Sequence, residues 1–222
     1  MYPRQRSALR FCEAGRSIVY DTDFEGTPHL WRLDPESGTT SKLTNGPGES
    51  NAVCPGAGDR VFFVGVTADG RTQIYKVSAS GGQAELVGNW VVLPYTVPAP
   101  SVDRRHMAFL VLRKDGTIGV QAISLETGVS EGELKAPTTV SPNQFSFCWT
   151  TDGRAVVLAD NRSGAENLWA FPILAGGEPK QLTFYDSGSI WGFQLSPEGK
   201  SIAIVRNSQV SDAVLLEEAK QK

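Results

Sequence analysis

Long apolar runs are missing from this sequence. The longest stretches, such as residues 107–112 and 90–93, stop far short of the roughly 20 residues that cross a bilayer as a helix. Three arginines lie within residues 1–10, but no apolar stretch follows them, so no secretory leader is legible. These features predict a cytoplasmic protein if the chain is whole, or a periplasmic one if it is a fragment of a larger exported or membrane-receptor protein. A basic excess is also missing. Lys and Arg total 21 against 24 Asp and Glu, the net charge is -3 and the pI is near 5.5. Nothing here forms the cationic stripe that grips a phosphate backbone, and nucleic acid is not an expected partner. Histidine is scarce: His29 and His106 have no companion at ligand spacing, so no metal and no cofactor is expected and both read as structural or surface residues. The three cysteines, Cys12, Cys54 and Cys148, are odd in number and lack C-x-x-C spacing, which predicts free, partly buried thiols.

What the 222 residues do contain is turns and repetition. Hydrophobic residues reach 40% and charged residues 20%, a balance that supports a packed core, while 23 Gly and 13 Pro imply many turns. Residues 13–20 return as residues 56–63, and again around Asp103-Arg104, Asp152-Gly153-Arg154 and Glu198-Gly199-Lys200. The turn positions Gly15, Gly58, Arg104, Gly153 and Gly199 are 43, 46, 49 and 46 residues apart. A fixed period of this size signals repeated supersecondary units.

Each turn is preceded by an alternating strand whose inward residues read Leu9/Phe11, Ala52/Cys54, Pro98/Pro100, Phe147/Trp149 and Phe193/Leu195. After each turn comes a nearly continuous apolar run (18–20, 61–64, 107–112, 156–159, 202–205) suited to a strand covered on both faces. A third strand follows at 30–33, 73–77, 120–125, 168–171 and 213–216, then a short outer strand ending Leu43-Thr44, Leu86-Val87, Leu134-Lys135 and Leu182-Thr183. Only the fifth repeat lacks the outer strand. Four antiparallel strands every 40 to 50 residues, without helical periodicity, predict an all-β propeller of five blades. A β-sandwich is the alternative, but it does not require one four-strand pattern to recur. The expected organisation is a tail at 1–7, blades at 8–46, 47–88, 89–136, 137–184 and 185–217, and a charged tail at 218–222. Cys54 then falls on an inner strand as a small core residue, and Cys12 and Cys148 pack between blades. Trp31, Tyr75 and Trp169 share one repeat position and read as blade-to-blade packing.

Ser196-Pro197-Glu198-Gly199-Lys200-Ser201-Ile202-Ala203 resembles the S-P-D-G-[KR]-x-I-A signature of the TolB-like, WD40-like (PD40) propeller repeat family. Gly176-Gly177-Glu178-Pro179-Lys180-Gln181-Leu182-Thr183 is similar to that family's G-G-x-P-[KR]-x-L-T ending. The resemblance covers residues 8–217 and departs most in the third repeat, where Arg104 replaces the turn glycine. It implies a propeller of the kind found in the TolB partner protein, in peptidases of the prolyl oligopeptidase and tricorn types, and in C-terminal sensor regions of bacterial Ser/Thr kinases or winged-helix regulators. Ser211-Asp212-Ala213-Val214-Leu215-Leu216 is similar to the end of the kinase-linked group, yet no V-A-I-K, H-R-D or D-F-G motif is present, so any kinase lies outside this chain.

Motifs for chemistry are absent. There is no G-x-S-x-G elbow, and Gly188-Ser189-Ile190-Trp191-Gly192 has its serine in the wrong place. Paired carboxylates serve propeller glycosidases, but Asp21 and Asp160 fall at second-strand ends, where solvated hairpin positions are expected, and Asp186 lies in a loop. The remaining candidates line the channel mouth, where each outer strand hands over to the next inner strand: residues 45–51, 88–97, 137–144 and 184–191. Within them Asn51, Trp90, Tyr95, Asn143, Tyr185, Asp186 and Trp191 are the expected binding residues, the aromatics because they make good anchors. The reading is a non-catalytic binding, scaffolding or sensory module that recognises a protein or small ligand. The alternative is a channel-centred hydrolase or lyase. Because residues 2–7 leave little room to supply the missing outer strand, the ring is expected to be incomplete, lacking at least one blade that a longer parent protein or a second chain supplies.

Overall fold

Six residues, not one glycine, make the turn between inner and second strands. In the computed structural model, which describes residues 9–207 except 57, 95, 141–146, 175 and 197–199, Thr150 opens one such turn. Its hydroxyl donates to Asp152 Oδ1 at 2.6 Å and accepts from Ala155 N at 3.1 Å, while Arg154 N donates to the same carboxylate at 3.1 Å. Ser101, Asp103, Arg105 and His106 repeat this arrangement at 2.6, 3.1 and 3.0 Å. Ser196 Oγ accepts from Ser201 N at 3.2 Å in the same way. The left-handed position of the turn is Gly153 in one case, with φ 67°, and Arg104 in the other, with φ 59°. A side chain there costs roughly 1 kcal/mol. Space is not limiting at Gly153, since a Cβ would meet only Asp103 at ordinary contact distance. Gly153→Ala should therefore lower stability by about 1 kcal/mol through conformation alone, as a denaturant midpoint would register.

These turns also set the acid response. The Thr150 hydroxyl and the Arg154 amide hold Asp152 below the ordinary carboxylate range. The Thr67 hydroxyl and Arg71 hold Asp69, in a hairpin of the second repeat, down to about 2. A carboxyl depressed by folding adds stability above its unfolded pKa of about 4, and that stability is lost as pH falls through the folded value. The melting temperature should be flat near neutrality and drop between pH ~4 and ~2; a value unchanged across that window would contradict the assignment.

The turns join four-stranded antiparallel sheets, paired in chain order. Blade 1 holds β1 (Arg10–Cys12), β2 (Ser17–Thr22), β3 (His29–Leu33) and β4 (Thr40–Lys42). Blade 2 holds β5 (Glu49–Val53), β6 (Arg60–Val66), β7 (Thr72–Ser78) and β8 (Glu85–Leu86). Blade 3 holds β9 (Ala99–Pro100), β10 (His106–Leu112), β11 (Ile118–Ser124) and β12 (Ser130–Lys135). Blade 4 holds β13 (Phe147–Trp149), β14 (Ala155–Asp160), β15 (Asn167–Pro172) and β16 (Lys180–Gln181). Blade 5 contributes β17 (Ser189–Leu195) and β18 (Ile202–Asn207). Its expected third strand at 213–216, and the expected pairing partners at 2–7, lie outside the described residues. Outer strands stop just before the Leu-Thr pairs, where the backbone still bonds: Leu43 N donates to Leu30 O and Leu182 N to Leu168 O, both at 2.8 Å.

Alternation along the second strands decides which blade meets which. Val61 and Phe63 turn toward blade 1 and pack with Val19 and Leu30. Phe62 and Val64 turn the other way, onto Met107 and Phe109 of blade 3. Ala108 and Leu110 then meet Val156 and Leu158, and Val157 and Ala159 meet Ile202 and Ile204. Tyr75 and Trp169 follow the same logic, each packed toward the preceding blade. Trp31 occupies the equivalent position in blade 1, where no preceding blade stands among the described residues, and lies 5.2 Å from the Phe24 ring.

The ring is open. One free face belongs to blade 1, where Phe11 pairs with Ile18 and Tyr20 with Trp31. The other belongs to blade 5, where Trp191 and Val205 are 62% and 63% exposed. This corrects the inward assignment of Leu9 and Phe11: Phe11 is 73% exposed, and Cys12 is the residue turned in. Phe11 alternates as expected, but its side of the sheet faces the gap. Trp149 is buried as expected, while Phe147, Phe193 and Leu195 are half-buried.

Two further expectations fail. Cys12 and Cys54 are not free thiols but form a disulfide across blades 1 and 2, with Cα atoms 5.3 Å apart, inside the range such a bond allows. Cys148 is free, half-buried, and its thiol is pushed up to about 11 by burial, which makes it inert. Asp21 and Asp160 are buried, not solvated. Asp160 holds Arg162 through Nε at 2.8 Å and Nη2 at 2.7 Å, and the guanidinium sits over the Trp169 and Phe171 rings.

Candidate functional site

The mouth is the end at which outer strands hand over to inner ones, and the Leu-Thr pairs build it. Thr44 Oγ1 accepts from Leu30 N at 2.9 Å and donates to Glu49 Oε2 at 3.1 Å. His29 Nδ1 donates to the same oxygen at 2.6 Å. Thr183 repeats the role in blade 4: its hydroxyl accepts from Leu168 N at 2.9 Å and donates to Asn167 Oδ1 at 3.0 Å. Asn167 also takes Tyr185 N at 2.7 Å and gives its amide to Tyr185 O at 3.0 Å. The threonine of the repeat ending is thus a clamp between an outer strand and the start of a third strand. All of His29, Thr44, Glu49 and Asn167 are buried.

The expected binding residues do not converge. Asn51 sits on β5 in an irregular stretch, where Ser50 pairs with Val64 but Val53 with Phe62, leaving one extra residue. Its φ is 56°, it is buried, and its Nδ2 has no hydrogen-bond partner. Bulges of this kind bend inner strands and re-aim side chains. Trp90 is half-buried and lies edge-on to Phe109 at 5.6 Å, packed onto the boundary of blades 2 and 3. Tyr185 packs against the boundary of blades 4 and 5, with the Arg206 guanidinium 3.5 Å over its ring. Asp186 beside it is exposed. Trp191 lies on the open face of blade 5, at the bulge where Ile190 pairs with Arg206 and Gly192 with Val205. Tyr95 and Asn143 lie outside the described residues.

Two features escaped the sequence reading. Phe184 follows directly on the Leu-Thr pair of blade 4 and is 80% exposed beside Asp186. The pairing of His29 with Glu49 was hidden by the 19 residues between them. Among the described residues no group of three or more His, Cys, Asp or Glu is placed to hold a metal, and no helix is long and apolar enough to cross a membrane.

No protein-family model matches the sequence, and no curated protein matches it. Solved structures do match its fold. TolB from Acinetobacter baumannii aligns over 91% of this chain and 49% of its own, with a TM-score of 0.61 and 18% identity. The fold is that of a TolB-like β-propeller. Oligogalacturonate lyase from Vibrio parahaemolyticus aligns with this TolB-like propeller over 91% of the chain at a TM-score of 0.68 and 14% identity. The β-propeller domain of the Trilobed protease from Pyrococcus furiosus, which has an open velcro topology, aligns over 86% at 0.59 and 10%. The TolB-like propeller spans 61% of the length of each of those two.

Proposed function

We propose that this TolB-like propeller is a non-catalytic recognition module that binds a protein or small ligand at the channel mouth. The observation that supports it is the internal commitment of two polar clusters at the mouth and of the buried Asp160. His29, Glu49 and Thr44 bond one another, as do Asn167, Thr183 and Tyr185, and Asp160 is spent on Arg162. Groups so engaged hold loops rigid, and rigid loops carrying exposed side chains make recognition surfaces. Phe184 and Asp186 are the exposed pair on that frame, with Asn51, Trp90 and Tyr185 framing the rest of the mouth. The faces of blades 1 and 5 belong to the same reading: Phe11 on one and Trp191 and Val205 on the other are exposed, surfaces that a further blade from a longer parent protein or a second chain would cover.

A photo-cross-linking residue at Asp186 should give a discrete adduct in the source cells, and one at Gly128, in the hairpin between β11 and β12, should give none. Adducts from neither position, or equally from both, would remove the mouth from consideration. A second reading, a propeller hydrolase or lyase, draws on the neighbours that are enzymes. Turnover of an oligogalacturonide or a peptide amide that vanishes in Glu49→Gln would favour it.

A further inference from the structure

A cleft of about 300 Å³ opens at the boundary of blades 1 and 2, away from Phe184 and Asp186. That volume lies at the lower end of small-ligand sites. Its lining includes Phe63 and Tyr75, whose rings stack 5.8 Å apart, together with Thr44 and Glu49. Glu49 is 5% exposed, and its Oε2 is engaged by His29 and Thr44. Oε1 lies against Gly46, itself part of the cleft wall, so closely that a Cβ at Gly46 would strike it.

No lysine or arginine lines the cleft, and among the described residues none forms an ion pair with Glu49. A carboxylate removed from water, held by an imidazole and a hydroxyl and facing no fixed cation, gains from a positive charge brought to it. Aromatic rings in the same lining add to that attraction and accept an apolar body. An anion meets only repulsion there. We propose that this cleft binds a compact organic cation, with a primary ammonium at Glu49 and a short apolar or aromatic body against Phe63 and Tyr75. The cleft lies where residues 45–49 of the mouth meet blade 2, apart from Phe184 and Asp186, and the proposal does not rest on the recognition reading.

Three near-isosteric probes isolate the charge: phenethylamine, 2-phenylethanol and 3-phenylpropionate, each titrated into the full chain by calorimetry or ligand-observed NMR. The amine should bind about tenfold more tightly than the alcohol, and the carboxylate weakest of all. In Glu49→Gln that preference should fall to within about twofold, the expected loss of the charge pairing. Ala84→Trp fills the cleft from its half-buried rim and should block the amine while the chain stays folded by circular dichroism, which keeps the test decisive if Glu49→Gln does not fold. Equal binding of amine and alcohol, no detectable amine binding at millimolar concentration, a preference that survives Glu49→Gln, or undiminished amine binding in folded Ala84→Trp would each overturn the proposal.

Discussion

Trp149→Ala is expected to lower the unfolding free energy by about 4 kcal/mol, the cost of emptying a large aromatic site that cannot collapse. The indole is 3% exposed and packs in the core shared by blades 3 and 4. Its Nε1 donates to Ala99 O at 2.8 Å, joining the inner strands of two blades, so the substitution removes both a packing unit and a bond between sheets. The carbonyl of Ala99 loses that donor as well. Phe193→Ala is the internal comparison: its ring is half-buried on β17, with a blade on one side only, and about half the effect is expected. Urea titration measures both. A change below about 1 kcal/mol for Trp149→Ala would mean that the inner-strand register is misplaced.

Loss of the Cys12–Cys54 disulfide should be comparably severe. The bond closes a loop of 42 residues, and restricting the unfolded chain over that length corresponds to about 4 kcal/mol in the chain-entropy description. Reduction, or Cys12→Ser with Cys54→Ser, should move the unfolding midpoint down by that amount, and peptide mapping without reductant should recover the two cysteines joined. Identical midpoints with and without reductant would mean the bond is not made.

Strands and turns were legible because they are local. The apolar runs at 61–64 and 107–112 mark second strands directly, and the Thr-x-Asp-Gly pattern at 150–153 carries its own hydrogen-bonding partners within a few residues. What could not be read is what depends on a neighbouring sheet. Cys12 and Cys54 look unpaired by motif spacing, yet they stand almost one repeat apart at the ends of adjacent inner strands, and the period itself was the available signal. Glu49 has nothing beside it in sequence that marks it, because its partners arrive from β3 and from the end of blade 1. Phe11 shows the limit most clearly: alternation assigns a residue to one side of a sheet, but whether anything stands on that side is a property of the ring. The same holds for Trp191, whose aromatic character suggested an anchor and whose position is an uncovered sheet face.

The gap between blades 1 and 5 changes how the molecule comes apart. A closed circle of blades must break two boundaries to release any one of them, whereas an arc releases an end blade by breaking one, as a linear solenoid does. Cooperative unfolding then gives way to fraying from the ends. The two ends are not equivalent, because the Cys12–Cys54 bond fastens blade 1 to blade 2 while blade 5 rests on blade 4 through Ile190, Ile202 and Ile204. Unravelling is thereby given a direction, from blade 5 inward, with the stapled end the last to yield.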